Sequence, residues 1–206
     1  MQIIIQRIPY SSSEFEYNTS ISSSSNGIVY SLIQHLSEIF GDIVGINNSS
    51  NLLSFSFQTS ATTMPPAHLY DTRRKQWISD KILDWLLRNH NPDSDTKVLA
   101  ICNFDAYSGD LNFVLGEAHM GGRVAAIYIP RLKQGLYVKK SDINKLVEQR
   151  AIKEAVHELG HAFGLTHCEK SRCVMHFSNS LQDTDFKHYI FCERCNRILR
   201  EQTTSK

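Results

Sequence analysis

Three histidines, a glutamate and a cysteine fall within HELGHAFGLTHC, His157 to Cys168. His157 and His161 are four apart, so on a helix they lie one above the other on the same face. One helical turn can then aim both imidazoles at a single metal ion. Glu158 is rotated by about 100° from His157. That makes it a poor third ligand but leaves it close enough to hydrogen-bond a metal-bound water, the position of a general base. Gly164 can adopt the left-handed conformation that ends a helix, and the turn brings His167 back as the third ligand. Three histidines with an open fourth position make a catalytic zinc site, which lowers the pKa of bound water toward roughly 7 and polarises a carbonyl. Glu158 would take the proton of the water and return it to a leaving amine. The plainer alternative, a helix with solvated histidines, requires all three spacings to be coincidental.

Cys168 belongs to a different set. Cys168 and Cys173 are spaced C-x4-C, Cys192 and Cys195 are spaced C-x2-C, and eighteen residues separate the pairs. Four thiols so arranged can close a tetrahedral, all-thiolate structural zinc site. One ion cannot comfortably take both His167 and its neighbour Cys168, because adjacent side chains diverge. Two zinc ions per chain, one catalytic and one structural, account for all seven residues. Structural zinc would also supply folding free energy to a segment with little apolar periodicity. In an oxidising compartment two disulfides would compete with this reading, and a redox switch is a further alternative. Cys102, alone in VLAICNF, reads as a small buried hydrophobe.

The pattern His-Glu-x-x-His-x-x-Gly-x-x-His, present as His157, Glu158, His161, Gly164 and His167, resembles that of the metzincin clan of zinc peptidases. The clan also has a methionine in a tight turn beneath the metal, and Met175 in CVMH is the candidate. A cysteine directly after the third histidine, with the methionine two residues after the second cysteine, is similar to the archaemetzincin (archaelysin) family. The sixteen residues between Met175 and Cys192 are about one fewer than in that family, read as a loop deletion that touches no ligand. The resemblance implies a zinc metallopeptidase acting on peptide substrates, with aminopeptidase action on short peptides as its finer form. It implies a metzincin-like α/β (α+β) fold: a twisted, mostly parallel sheet with an antiparallel edge strand above the cleft, an active-site helix and a small zinc-stapled C-terminal subdomain. The edge strand would be NFVLGEA, near Phe113 to Glu117, able to pair with an extended peptide. No pro-segment is recognised ahead of the site, so latency would have to come from an occluded cleft or an extra ligand. His119, His176 and His188 are the candidates for such a ligand, although each also reads as a surface histidine.

The elements that position these residues follow from periodicity. QIIIQRI reads as a strand. After the serine-rich SSSEFEYNTSISSSSN, read as a solvated loop, Ile28, Leu32, Leu36 and Ile39 recur at helical spacing. Asn26 is the expected N-cap and Gly41 falls just past the end. DIVGINN and LLSFSFQT suggest a strand or hairpin. Pro65-Pro66 precede a second helix, Thr72 to Asn89, with Ile78, Ile82, Trp85 and Leu86 on one face. TKVLAICNFD is a nearly continuous apolar run, expected of a central strand covered on both faces. LNFVLGEAH and GRVAAIYIPRL read as two more strands, and Ser141 to Leu165 as the long helix carrying His157 and His161. One domain is expected, with residues 1–165 as an α/β part containing the active-site helix and 166–206 as a C-terminal part with Met175 and the cysteines.

Composition bounds the alternatives. The chain has 206 residues, 41% hydrophobic and 21% charged, long enough to bury a real core. A net charge of +1 gives no electrostatic case for nucleic acid or an anionic membrane as partner. A zinc-ribbon nucleic-acid binder built on the cysteines with Arg194, Arg197 and Arg200 is disfavoured on the same ground. No apolar run reaches the roughly 20 residues that span a bilayer. MQIIIQRIPY has neither a basic leader nor a small-residue cleavage site, so a cytoplasmic, reduced setting is expected; a monomer is expected as well. The glycosylation patterns at Asn18 and Asn48 then read as chance. The alternative function is a peptide-binding or regulatory protein with a latent or occluded metalloprotease site.

Overall fold

The described residues of the structure, a computed structural model, are 2–8, 25–44, 54–58, 64–135 and 140–204. In chain order they form β1 (Gln2–Ile8), α1 (Ser25–Val44), β2 (Ser54–Gln58), a 3-10 turn at Ala67–Leu69, β3 (Tyr70–Asp71), β4 (Gln76–Ile78) and α2 (Ser79–His90). There follow β5 (Thr96–Cys102), β6 (Ala106–Tyr107), β7 (Gly116–Ala118), β8 (Val124–Tyr128), α3 (Ile129–Leu132), α4 (Lys140–Ala162), α5 (Leu181–Phe186) and α6 (Glu193–Thr204).

The main sheet has the order β2-β1-β5-β8-β7. Its first four strands are mutually parallel, and β7 runs antiparallel at the edge. All seven residues of β5 are buried, as a central parallel strand covered on both faces requires. Side chains alternate between faces. Leu99, Ile101, Ala125 and Ile127 pack with Ile3 and Ile5 against Leu32, Leu36 and Phe40 of α1 and Ile152, Val156 and Leu159 of α4. Val98, Ala100, Val124 and Tyr128 pack on the other face against Ile82, Leu83 and Leu86 of α2. The mixed α/β class and the mostly parallel sheet with an antiparallel edge match the expectation from sequence.

Several boundaries differ, each for a local reason. The second helix starts at Ser79, not Thr72, because Asp71 turns the chain first: its Oδ1 accepts the N–H of Arg73 at 2.8 Å and of Arg74 at 3.1 Å. Lys75 then adopts a left-handed φ of 54°, and a β3–β4 hairpin takes the residues assigned to the helix. In the first helix Gly41 does not end the element; it is buried within α1, which runs on to Val44 and starts one residue before Asn26. LLSFSFQT yields the strand β2, paired in parallel with β1, whereas the first residues of DIVGINN, up to Val44, belong to α1 and the rest lie outside the described residues. Most of the serine-rich stretch lies outside the described residues. The edge strand is Gly116–Ala118, because Val114 is drawn away by an N–H bond to Ala106 O at 3.1 Å.

Beyond residue 165 the chain holds two helices that its polar composition concealed. α5 begins with a capping box in which Ser180 Oγ and Asp183 satisfy each other's backbone N–H groups. On α6, Cys195 and Leu199 are buried, and with Met175 and Phe191 they join the core beneath α4.

Candidate active site and thiolate cluster

The end of α4 sets the histidine geometry. Gly164 has φ +96°, its N–H reaches His161 O at 2.8 Å, and Leu165 N–H reaches Gly160 O at 2.9 Å. This is a Schellman closure. It turns the chain so that His167 faces the two helical histidines, and the ligand-type nitrogens of His157, His161 and His167 lie within 4.8 Å of one another. The rings of His161 and His167 meet edge-on at 4.8 Å, and Phe177 packs against His167 at 4.9 Å.

Hydrogen bonds fix which ring atoms face inward. His157 Nδ1 lies 2.7 Å from Val174 O, and His161 Nδ1 lies 2.7 Å from Leu165 O. A carbonyl oxygen only accepts, so both Nδ1 atoms carry the proton. Burial holds the pKa of His157 well below its ordinary value, helped by the Lys187 charge and His161, and burial also lowers those of His161 and His167. The rings are therefore neutral, and two Nε2 lone pairs confront each other at 3.1 Å in a buried setting. Such a pair is repulsive unless a cation lies between them. Zinc–nitrogen bonds of about 2.0–2.1 Å in tetrahedral array separate nitrogens by about 3.3–3.4 Å, close to what is found. The donor set fits zinc.

Glu158 is 5% exposed and lines the same cleft as the histidines. Burial pushes its pKa well above the carboxylate range, Glu154 and Glu117 add to this, and Lys187 opposes it. A divalent cation nearby would act in the same direction as Lys187. The cleft, about 540 Å³ in volume, has β7 along one wall, with Leu111, Phe113, Met120 and Phe177 exposed around it. Glu154 and Lys187, which the sequence reading missed, also line it. Lys187 is 2% exposed; its Nζ donates to His176 O at 3.1 Å and lies 3.8 Å from Glu154 Oε1. Glu154, one turn before Glu158 on α4, could have been found from helical spacing. Nothing in the sequence marks Lys187.

Met175 is fully buried in a tight turn closed by His176 N–H to Cys173 O at 2.9 Å. Its thioether lies where a Cβ on Gly160 would fall, so it packs directly on the turn of α4 between His157 and His161. Among the described residues no fourth ligand-type side chain joins the histidine group. His119 sits 3.6 Å from Asp84, and His176 Nδ1 bonds Cys168 O at 2.9 Å.

Cys168, Cys173, Cys192 and Cys195 converge with their sulfurs within 4.8 Å of one another. The 168–192 and 173–195 Sγ pairs are each 3.8 Å apart. A disulfide needs about 2.05 Å, whereas a tetrahedral ion with Zn–S bonds of about 2.3 Å separates its sulfurs by about 3.8 Å. The four cysteines are free thiols placed as zinc ligands would be. Burial pushes the Cys173 and Cys195 thiols up. Burial also works against Cys192, but the N–H of Cys195 and hydrogen bonds from the neighbouring thiols bring it down to about 7.

Sequence comparison decides the family. The model of peptidase family M54 matches residues 15–201. The chain belongs to this family. Its relatives carry the name archaemetzincin: that of Pyrococcus abyssi is 44% identical over 137 residues, 66% of this chain and 72% of the relative. The archaemetzincin of Methanopyrus kandleri is 34% identical over 175 residues, 85% of this chain and 87% of the relative. The crystal structure of the M. kandleri archaemetzincin superposes with a TM-score of 0.76 at 29% identity, covering 99% of this chain and 96% of that one. Family M54 membership makes the protein a zinc metallopeptidase, a hydrolase whose substrates are peptides. Among the described residues no helix is long and apolar enough to cross a membrane.

Proposed function

We propose that the protein hydrolyses peptide bonds at a zinc ion held by His157, His161 and His167, with Glu158 as general base. The observation that carries the reading is the pair of neutral, inward-facing Nε2 atoms of His157 and His161 at 3.1 Å, a donor arrangement that calls for a cation. Zinc bound there supplies Lewis acidity, polarising the scissile carbonyl and easing deprotonation of water. Glu158 takes the proton of the attacking water and delivers it to the leaving amine. Its burial favours the protonated carboxyl, which helps it retain that proton between the two steps. Val174 O and Leu165 O hold the helical histidines in the tautomer that leaves Nε2 free.

A second zinc, held by Cys168, Cys173, Cys192 and Cys195, is structural in this reading, and the working unit is a monomer. The cleft of about 540 Å³ lies within the about 300–1,000 Å³ range of sites for small ligands, which supports short peptides as substrates. The finer form of the proposal is aminopeptidase action on them. His167 is exposed at the cleft, which favours a working site over an occluded one.

The test is Glu158→Ala, assayed on a peptide library by mass spectrometry beside metal analysis of the same sample. Turnover is lost while two zinc ions per chain remain. Unchanged turnover would remove Glu158 as base, and one zinc in the parent would empty one of the two sites. Acetylating the peptides' N-termini abolishes cleavage if the action is that of an aminopeptidase and leaves it intact if cleavage is internal.

A further inference from the structure

Gly116 opens β7, the edge strand of the main sheet, and pairs with Ile127 of β8. Its backbone lies outside the left-handed region, since the positive-φ glycines among the described residues are Gly109, Gly121, Gly135 and Gly164, so conformation does not demand a glycine here. Space does. A Cβ built on Gly116 would lie 2.6 Å from Glu158 Cγ, 2.8 Å from Glu158 Oε1 and 3.0 Å from Ala126 O. Two residues on, and so on the same face of the strand, Ala118 carries a methyl group that packs against the core. The strand therefore tolerates a side chain on this face at 118 and excludes one at 116, where α4 brings Glu158 against it.

We propose that Gly116 is a positioning residue: the absent side chain on the edge strand is the seat of the Glu158 carboxylate, and it fixes where that carboxylate stands relative to the histidines. The proposal rests on the reading of Glu158 as general base. Glu158 sits with its Cγ and Oε1 against the Gly116 main chain and so has no room to swing toward the sheet. A methyl group at 116 pushes the carboxylate out of this slot by roughly 1 Å, a displacement that in an active site can cost about 10²-fold in rate. No ligand of either proposed zinc ion is touched.

The experiment is a double-mutant cycle on the zinc-loaded protein with Gly116→Ala, Glu158→Ala and the combination, read by kcat, KM, zinc content and Tm. Gly116→Ala is expected to lower kcat about 10²-fold with KM within twofold of the parent and both zinc ions retained. It is also expected to lower Tm in the Glu158 background and to lower it far less in the Glu158→Ala background, where only the Ala126 carbonyl at 3.0 Å stays close. An equal Tm loss in both backgrounds means that the Ala126 carbonyl, not Glu158, is the obstacle, and overturns the proposal. Normal turnover of Gly116→Ala beside a dead Glu158→Ala overturns it while leaving the base in place. Normal turnover of Glu158→Ala overturns both, since a seat for an idle carboxylate positions nothing. Should Gly116→Ala fail to fold, a folded double variant supports the proposal and an unfolded one overturns it.

Discussion

Replacing Cys168 by serine should weaken the catalytic site although Cys168 is not among the histidines. Cys168 follows His167 directly, its N–H donates to Met175 O at 2.9 Å, and its carbonyl accepts from His176 Nδ1 at 2.9 Å. On the facing side of the loop, Val174 follows Cys173 and orients His157 through the 2.7 Å bond to its Nδ1. A zinc held by the four cysteines, as proposed, would thus clamp Cys168 and Cys173, the neighbours of one histidine and of the carbonyl that orients another. Serine is a poor zinc ligand, so Cys168→Ser opens the clamp. One hydrogen bond of this kind contributes about 0.5–1.5 kcal/mol, and loss of a ligand's orienting partner lowers metal affinity or activity by about 10–100-fold. The expected outcome is one zinc lost outright and the remaining, catalytic zinc bound about 10–100-fold more weakly. Turnover falls in step at limiting zinc and recovers in part at saturating zinc. Metal analysis, chelator competition and peptide turnover at two zinc concentrations measure all three, with Cys102→Ala, a buried thiol of the sheet, as the variant that keeps both ions. A Cys168→Ser protein that loses one zinc yet binds the other as tightly as the parent, at the parental rate, would refute the coupling.

Glu158→Gln should stabilise the metal-free protein at alkaline pH. Burial raises the folded pKa of Glu158 well above the ordinary carboxylate value of 4.5, so between the two the folded state binds more protons than the unfolded state and stability falls as pH rises. The Tm advantage of the variant should therefore be smallest well below pH 4.5 and grow as the pH rises above it; an advantage that does not change with pH would contradict the sign. Gly160→Ala should lower Tm, because its Cβ would overlap Met175 Sδ and come within 3.1 Å of Phe191. Overpacking of this kind costs about 1–3 kcal/mol, and denaturant unfolding with no change in the midpoint would show that Met175 can move aside.

The convergence of the three histidines and of the four cysteines was legible because donor residues at short spacing are brought together by a few turns of backbone. His157 and His161 share a helical face, Gly164 ends the helix by the conformation its lack of Cβ allows, Cys192 and Cys195 lie one turn apart at the start of α6, and Cys168 and Cys173 flank one short loop. The central strand was equally legible, since burial on both faces writes an unbroken apolar run. Boundaries failed where a short-range side-chain bond outweighed periodicity. Asp71 converts seven residues of apparent helix into a hairpin, and Asp183 with Ser180 starts a helix that hydropathy does not mark. The partners that tune the site were illegible for a different reason.

Val174 O orients a histidine through its backbone, which no residue type announces. Lys187 reaches the cleft through tertiary packing, and Gly116 acts through atoms it lacks. For the first two, position along the chain carries no signal until β8, α4 and the turn at Met175 are assembled around one another. The glycine is the instructive case. In the sequence LNFVLGEAH it weakens the strand pattern, and its neighbours leave the ladder where Val114 bonds Ala106. The interruption that blurred the edge strand in the sequence is the feature that lets α4 approach close enough to lodge Glu158 beside the cleft. A residue that fits its local element poorly, next to a buried carboxylate, marks the place where local regularity gave way to the geometry of the site.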